Sequence, residues 1–130
     1  MIVVDSSVWI DYFNGTANPQ TEKLDALLGE EPLAVGDIIL TEVLQGFGAD
    51  RDFNTAKAML LNLTVFDMLG QRNAVALAEN FRVLRKKGVT VRKTVDCIIA
   101  TFCIENNHGL LYSDRDFLPF VEHLGLRPVE

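Results

Sequence analysis

"TVDCIIATFCIENNHGLLYSDRDF", residues 94–117, opens a long apolar run with one aspartate, Asp96, and closes a second, shorter run with two more, Asp114 and Asp116. Over 95–106 apolar residues fall on every side of a helical wheel, which predicts a helix buried all round. The turn NNHG follows, and residues 110–112 read as a strand. A buried helix feeding a short buried strand is the unit from which parallel sheets covered on both faces are built. Carboxylates at both edges of such a unit carry a desolvation cost that calls for a reason.

Working outward, IVVD (2–5) is a β-branched run ending in Asp5, and the helix beginning at Ser6 carries Val8, Trp9, Tyr12 and Phe13 at helical spacing until Asn14 and Gly15 stop it. An amphipathic helix over 21–31, a strand over 33–35 and a helix over 37–48 with glycine at its end come next. The middle holds a helix over 52–62, a strand over 64–68 and a long glycine-capped helix over 71–88. Beyond Asp116, a short helix over 117–123 and a strand near 126–129 end the pattern. Strands alternating with helices predict an α/β fold with a mainly parallel central sheet, and residues 1–130 are expected to form a single domain.

A chain of 130 residues, 48% hydrophobic, can bury one sizeable core. No apolar stretch reaches the ~18–20 residues of a membrane span, and the N-terminus lacks a signal-peptide pattern, so a cytoplasmic protein is expected. Cys97 and Cys103, six apart on one helix, would lie ~9 Å apart along its axis, beyond disulfide reach, and are expected as buried thiols. His108 and His123 have no partner at metal-ligand spacing and read as a turn residue and a surface helix residue.

The net charge of −6 argues against nucleic acid as a partner, but the charge is unevenly placed. Six of the 12 basic residues fall within RVLRKKGVTVRK: Arg82, Arg85, Lys86, Lys87, Arg92 and Lys93. Cations at the C-terminal pole of a helix explain Arg85 to Lys87, whereas Arg92 and Lys93 follow Gly88 and lead directly into Asp96. A solvated helix end and a strip that faces phosphates beside an acidic pocket are the two readings of this run.

In an open parallel sheet, ligands bind outside the carboxyl ends of the strands. Asp5 ends the first strand, and Asp114 and Asp116 follow the strand over 110–112. Asp96 begins a helix, so its edge of the sheet is less defined. Each of Asp5, Asp96 and Asp116 also stands where a helix cap would, worth ~1 kcal/mol. Glu42 resists that explanation, because on a wheel of ~100° per residue it falls between Ile38 and Ile39 at the margin of the apolar stripe. A carboxylate against apolar neighbours needs a compensating cation, and converging acids need one more. All-oxygen ligation without a Cys or His cluster favours Mg²⁺ or Mn²⁺ over Zn²⁺, with room for one or two ions. Two such ions suit in-line hydrolysis of a phosphodiester.

Four motifs in order, VVDSSVWIDYF, LTEVLQGF with Glu42, VRKTVDCIIAT with Asp96 and LLYSDRDF with Asp114 and Asp116, make the chain resemble the PIN-domain ribonucleases along nearly its whole length. Within them it is similar to the VapC-like toxins of bacterial toxin-antitoxin pairs. The resemblance implies a three-layer α/β/α domain whose catalytic pocket is Asp5, Glu42, Asp96 and Asp114, with Asp116 as an additional or water-mediated metal ligand. It implies Mg²⁺- or Mn²⁺-dependent cleavage of single-stranded or looped RNA to 3′-hydroxyl and 5′-phosphate ends. Asp5, Asp96 and Asp114 would hold the principal ion, and Glu42 and Asp116 would orient water or complete a second site. Arg92, Lys93 and Arg115 are candidates for flanking phosphates. The implied partners are an RNA substrate, a VapB-like antitoxin and a second copy of the chain in a homodimer, or a heterotetramer or larger assembly with antitoxin. A groove formed by Trp9, Tyr12 and Phe13 with Leu24, Leu27 and Leu28 is one place for the antitoxin, and core packing is the other fate of those residues. Where many relatives have threonine two residues before the acid matching Asp114, this chain has Tyr112, so no role is carried to it. Ser6 reads either as a hydroxyl supporting the pocket or as a helix-start residue.

Two other readings compete. A receiver-type signalling domain also gathers acids and Mg²⁺ at strand ends, but would need two adjacent acids after the first strand and a late lysine, whereas Asp5 stands alone and no lysine follows Lys93. A catalytically idle binding module is the other, although such members typically lose acids that this chain keeps.

Overall fold

The computed structural model describes residues 1–130 throughout. Five short strands, β1 (Ile2–Val4), β2 (Leu33–Gly36), β3 (Thr64–Phe66), β4 (Gly109–Leu111) and β5 (Arg127–Pro128), form one sheet in the order β3-β2-β1-β4-β5. Every pairing is parallel, so the sheet is wholly rather than mainly so. The central strands are apolar on both sides, as a sheet covered on both faces demands: β4 is buried at all three positions and β2 at all four.

Seven helices supply that cover: α1 (Ser6–Phe13), α2 (Pro19–Leu27), α3 (Asp37–Leu44), α4 (Asp50–Leu61), α5 (Gln71–Lys86), α6 (Thr94–Glu105) and α7 (Leu118–Leu124). They divide into two packed groups, α1 with α2 and α3 and α3 with α4 in one, α5 with α6 and α7 in the other. Right-handed crossovers put the connections on either side of β1 on opposite faces, giving the three-layer α/β/α arrangement. A core of Val3, Val4, Trp9, Leu24, Ile39, Ile99, Leu110 and Phe117, among others, is buried between the layers. No helix is long and apolar enough to cross a membrane. Cys97 and Cys103 are buried free thiols on α6.

Local chemistry moved several boundaries. α2 begins at Pro19 rather than 21 because Asn18 and Thr21 form a reciprocal capping box with proline in the first turn, and it stops at Leu27 before Gly29 turns with φ +82°. The last helix divides into a 3₁₀ turn, Arg115–Phe117, and α7. Asp5 caps α1, but the other two predicted caps are corrected. Lys93 is the N-cap of α6, leaving Asp96 as its third residue, and Asp114 rather than Asp116 caps the 3₁₀ turn.

The strand order reverses direction at β1, whose chain neighbour β2 lies on one side and β4 on the other. This switch point opens a crevice between the carboxyl ends of β1 and β4. The backbone N–H of Asp5 donates to the Leu111 carbonyl at 2.9 Å and ties the two strand ends together there. α6 runs through a three-residue turn straight into β4, so its first residues lie at the opposite edge from the start of β4, which is the carboxyl edge. That geometry brings Asp96 to the same rim as Asp5 and Asp114.

Candidate metal centre

Asp5 follows β1 and is 3% exposed. Its Oδ2 accepts from the Ser7 hydroxyl at 2.6 Å and from the Ser7 backbone N–H at 3.2 Å, the ordinary arrangement of a helix cap. Its Oδ1 is buried with no partner at all, which capping does not require. Burial pushes the Asp5 carboxyl upward, the Ser7 bonds partly oppose this, and the charge of Asp114 adds to it.

Asp96 is 7% exposed and its Oδ2 is likewise buried and unpartnered. Burial first, and the neighbouring Asp5 carboxylate second, push its pKa up to about 7, with Lys93 pulling the other way. Oxygens of Asp96, Asp114 and Asp116 lie within 4.8 Å of one another. Oxygens around an ion at ~2.1 Å are up to ~4.2 Å apart, so the trio needs only a small closing movement to share one.

Asp114 is held differently. Its Oδ1 accepts from the Asp116 N–H at 2.9 Å and its Oδ2 from Lys93 Nζ at 3.2 Å. The bond from Asp116 and the Lys93 ammonium keep its carboxyl below the usual range. Lys93 also stands 4.0 Å from Asp116, and Arg92 3.9 Å from it. Neither cation reaches the orphaned oxygens of Asp5 and Asp96.

Neither Asp5 nor Glu42, the latter half-buried on α3, is part of the Asp96, Asp114 and Asp116 trio. The Ser6 hydroxyl donates to Glu42 Oε1 at 2.9 Å. Ser6 is therefore both the first residue of α1 and a hydroxyl donor to Glu42. Two hydroxyls went unrecognised in the sequence: Ser7, and Ser113, which donates to Ser7 at 3.2 Å and extends the chain to Asp5. The signal for Ser7 was present, since a residue two beyond an aspartate cap is the usual donor to it.

The orphaned buried oxygens and the all-oxygen donor set fit a hard divalent cation. None of the five surface clefts is lined by these acids. Of the two fates open to the apolar residues of α1 and α2, core packing holds for Trp9, Leu24 and Leu27, while Phe13 lines an apolar cleft between α1 and α3 with Ile10, Val43 and Phe47. His108, the expected turn residue, precedes β4 and stacks on Phe66.

A parallel sheet with acids gathered at its switch point is the arrangement of PIN domains, and the chain belongs to the PIN domain family, whose model matches residues 2–120. Within that family it is VapC-like. It is 32% identical over 122 residues to Ribonuclease VapC11 of Mycobacterium tuberculosis and to VapC ribonuclease Mb1587 of Mycobacterium bovis, covering 90% of this chain and 89% of each relative. The fold also matches VapBC2 from Rickettsia felis bound to a promoter DNA fragment, with TM-score 0.77 at 19% identity, over 99% of this chain and 98% of that one. A second fold match is Mycobacterium tuberculosis VapC20, a sarcin-ricin loop cleaving toxin, with TM-score 0.65 at 17% identity, over 91% and 93%. The receiver-type reading has no support beside these matches.

Proposed function

We propose that the chain is a metal-dependent endoribonuclease toxin of a VapBC-type pair, with residues 1–130 acting as one catalytic domain that cuts RNA and so inhibits translation. The observation that carries this reading is the pair of buried, unpartnered oxygens, Asp5 Oδ1 and Asp96 Oδ2, on the rim of a PIN domain. Buried carboxylates left this way need a cation, and an oxygen-only site favours Mg²⁺ or Mn²⁺. Asp5, Asp96 and Asp114 are the ligands in this reading, with Asp116 adding a direct or water-mediated contact. When bound, the ion supplies an activated water near neutral pH and offsets charge developing on the phosphate. Glu42, fixed by Ser6, orients the attacking water; Asp5, fixed by Ser7, keeps the pocket from collapsing onto the core.

The rim suits a single-stranded or looped RNA, whose splayed nucleotides can lie across it. A transfer RNA or a ribosomal RNA loop meets that need, and the fold likeness to VapC20 favours keeping the ribosomal loop in the set. The apolar cleft between α1 and α3 is the seat proposed for a VapB-like antitoxin helix or strand, beside the acids it would block. A homodimer, and a heterotetramer or larger assembly with antitoxin, complete the reading, in the cytoplasm where its RNA is found.

The test is digestion of structured RNA by protein freed of any partner, with Mg²⁺, with Mn²⁺ and with EDTA. Cleavage leaving 5′-phosphates is expected with either ion and none with EDTA. An absence of cleavage with both ions would assign the chain instead as a catalytically idle module that binds RNA or protein.

A further inference from the structure

Lys93 is the one cation whose ammonium lies against two of the gathered acids, 3.2 Å from Asp114 and 4.0 Å from Asp116. Its backbone is the N-cap of α6, three residues before Asp96, while its side chain remains 58% exposed. An exposed lysine with four rotatable bonds is a mobile point charge, not a fixed clamp. Nor does it complete the site, because the orphaned oxygens of Asp5 and Asp96 stay without partners beside it.

We propose that Lys93 alternates between two partners: the Asp114 and Asp116 carboxylates when no divalent cation is bound, and a backbone phosphate of the RNA once the cation has taken those carboxylates. This rests on the metal-centre reading above. In the cation-free protein the ammonium limits repulsion among the three acids and keeps the trio near its working spacing. A divalent ion at the same oxygens would repel the ammonium, which the exposed side chain is free to obey. Its next favourable partner is an anion on the solvent side of the rim, where the scissile strand would pass, and a lysine binds a phosphate oxygen well as a point charge. Arg92, 77% exposed and 3.9 Å from Asp116, is a second exposed cation beside these acids.

The two-partner role makes opposite predictions for two measurements on Lys93→Met. Binding of Mn²⁺ to the RNA-free protein, followed by calorimetry, should become tighter by about two- to five-fold, the competition expected of one exposed ion pair. Cleavage of bulk transfer RNA should weaken, mainly through a higher KM, and its salt dependence should flatten by about one phosphate contact. Lys93→Arg should recover most of the cleavage. A lysine that merely supports Asp114 would loosen Mn²⁺ binding when removed, and weaker or unchanged Mn²⁺ affinity in Lys93→Met overturns the proposal while leaving the metal centre intact. If the wild-type protein binds no Mn²⁺ and Asp96→Asn is no different, the metal-centre reading fails, and this proposal with it.

Discussion

The five acids are held in two different ways. Asp5 and Glu42, on the α1 and α3 side of the crevice, each receive a neutral serine hydroxyl, Ser7 at 2.6 Å and Ser6 at 2.9 Å. Asp114 and Asp116, on the β4 side, are met by the exposed cations Lys93 and Arg92 at 3.2–4.0 Å. Asp96 lies between the two sets, with a buried oxygen that neither serves. Hydroxyls in a packed helix start fix geometry and do not neutralise charge; solvent-exposed ammonium and guanidinium groups neutralise charge and hold geometry weakly. One side of the rim is thus fixed by neutral hydroxyls, while the other adds exchangeable cations to the single backbone bond that Asp114 accepts from Asp116.

Asp96→Asn tests the shared centre and has the largest expected effect. RNA cleavage should fall by at least ~10²–10³-fold, the scale of losing one main electrostatic contact to a reacting phosphate. In EDTA the variant should melt a few degrees higher than wild type, because a buried charge beside Asp5 has been removed. A variant that loses activity only by unfolding would return Asp96 to a purely structural role.

The metal-free protein should also show the strain of Asp96 in its pH dependence. Its carboxyl titrates near 3.8 in an unfolded chain and is pushed up to about 7 in the fold, so between those values the folded protein binds more protons than the unfolded one. Stability in EDTA should therefore fall as pH rises from about 4 to about 7, by up to ~4 kcal/mol, and level off above. Asp5 acts in the same direction, while Asp114, shifted downward, matters only below about pH 4. Denaturant unfolding across pH 4.5–8 reads this directly; Asp96→Asn should remove most of the slope, and saturating Mn²⁺ should reverse its sign. Stability that climbs through the window without metal would mean that Asp96 is already compensated.

Which of the two sides a residue belongs to was only partly legible in the sequence. The order of strands and helices was plain, because β-branched runs, aspartates and glycines punctuate it, and the strand-end positions of Asp5 and Asp114 followed from the parallel sheet. Asp96 was ambiguous until α6 was seen to run directly into β4, which fixes its start at the carboxyl edge. Capping was misassigned at Asp96 and Asp116 because an aspartate near a helix start looks alike at the cap and in the first turn; only backbone dihedrals separate them. The two fates of the apolar stripe, groove or core, could not be separated for a related reason. A helical wheel for α1 shows an aromatic stripe but not which stripe faces the sheet, and Trp9 went into the core while Ile10 stayed 39% exposed. The Ser6 to Glu42 bond, 36 residues apart, could not be read from either segment alone.

Ser7→Ala probes the hydroxyl-held side at its buried end. Asp5 is 3% exposed and its other oxygen already lacks a partner, so removing the hydroxyl leaves one backbone N–H on a buried carboxylate. A hydrogen bond to a buried charge is worth ~1.5–3 kcal/mol, and a stability loss in that range is expected in EDTA at pH 8, shrinking as the pH is lowered because burial pushes the Asp5 carboxyl upward. A loss that stays the same as acid is added would show that the hydroxyl supports α1 and not the charge on Asp5.

Ser6→Ala should be milder, and the contrast with Ser7 is what gives it meaning. Glu42 is half-buried, so water can replace the lost hydroxyl and the stability cost should stay near ~1 kcal/mol. If Glu42 orients the attacking water as proposed, cleavage should nevertheless drop by ~3- to 10-fold, because the glutamate would then sample rotamers that no longer direct it. Glu42→Gln in the same background should add little if orientation was already lost, since two changes to one hydrogen-bonded pair are not additive. A Ser6→Ala enzyme as active as wild type, with Glu42→Gln still inactive, would mean that Glu42 needs no positioning from α1, and the hydroxyl-held side would shrink to Asp5 and Ser7 alone.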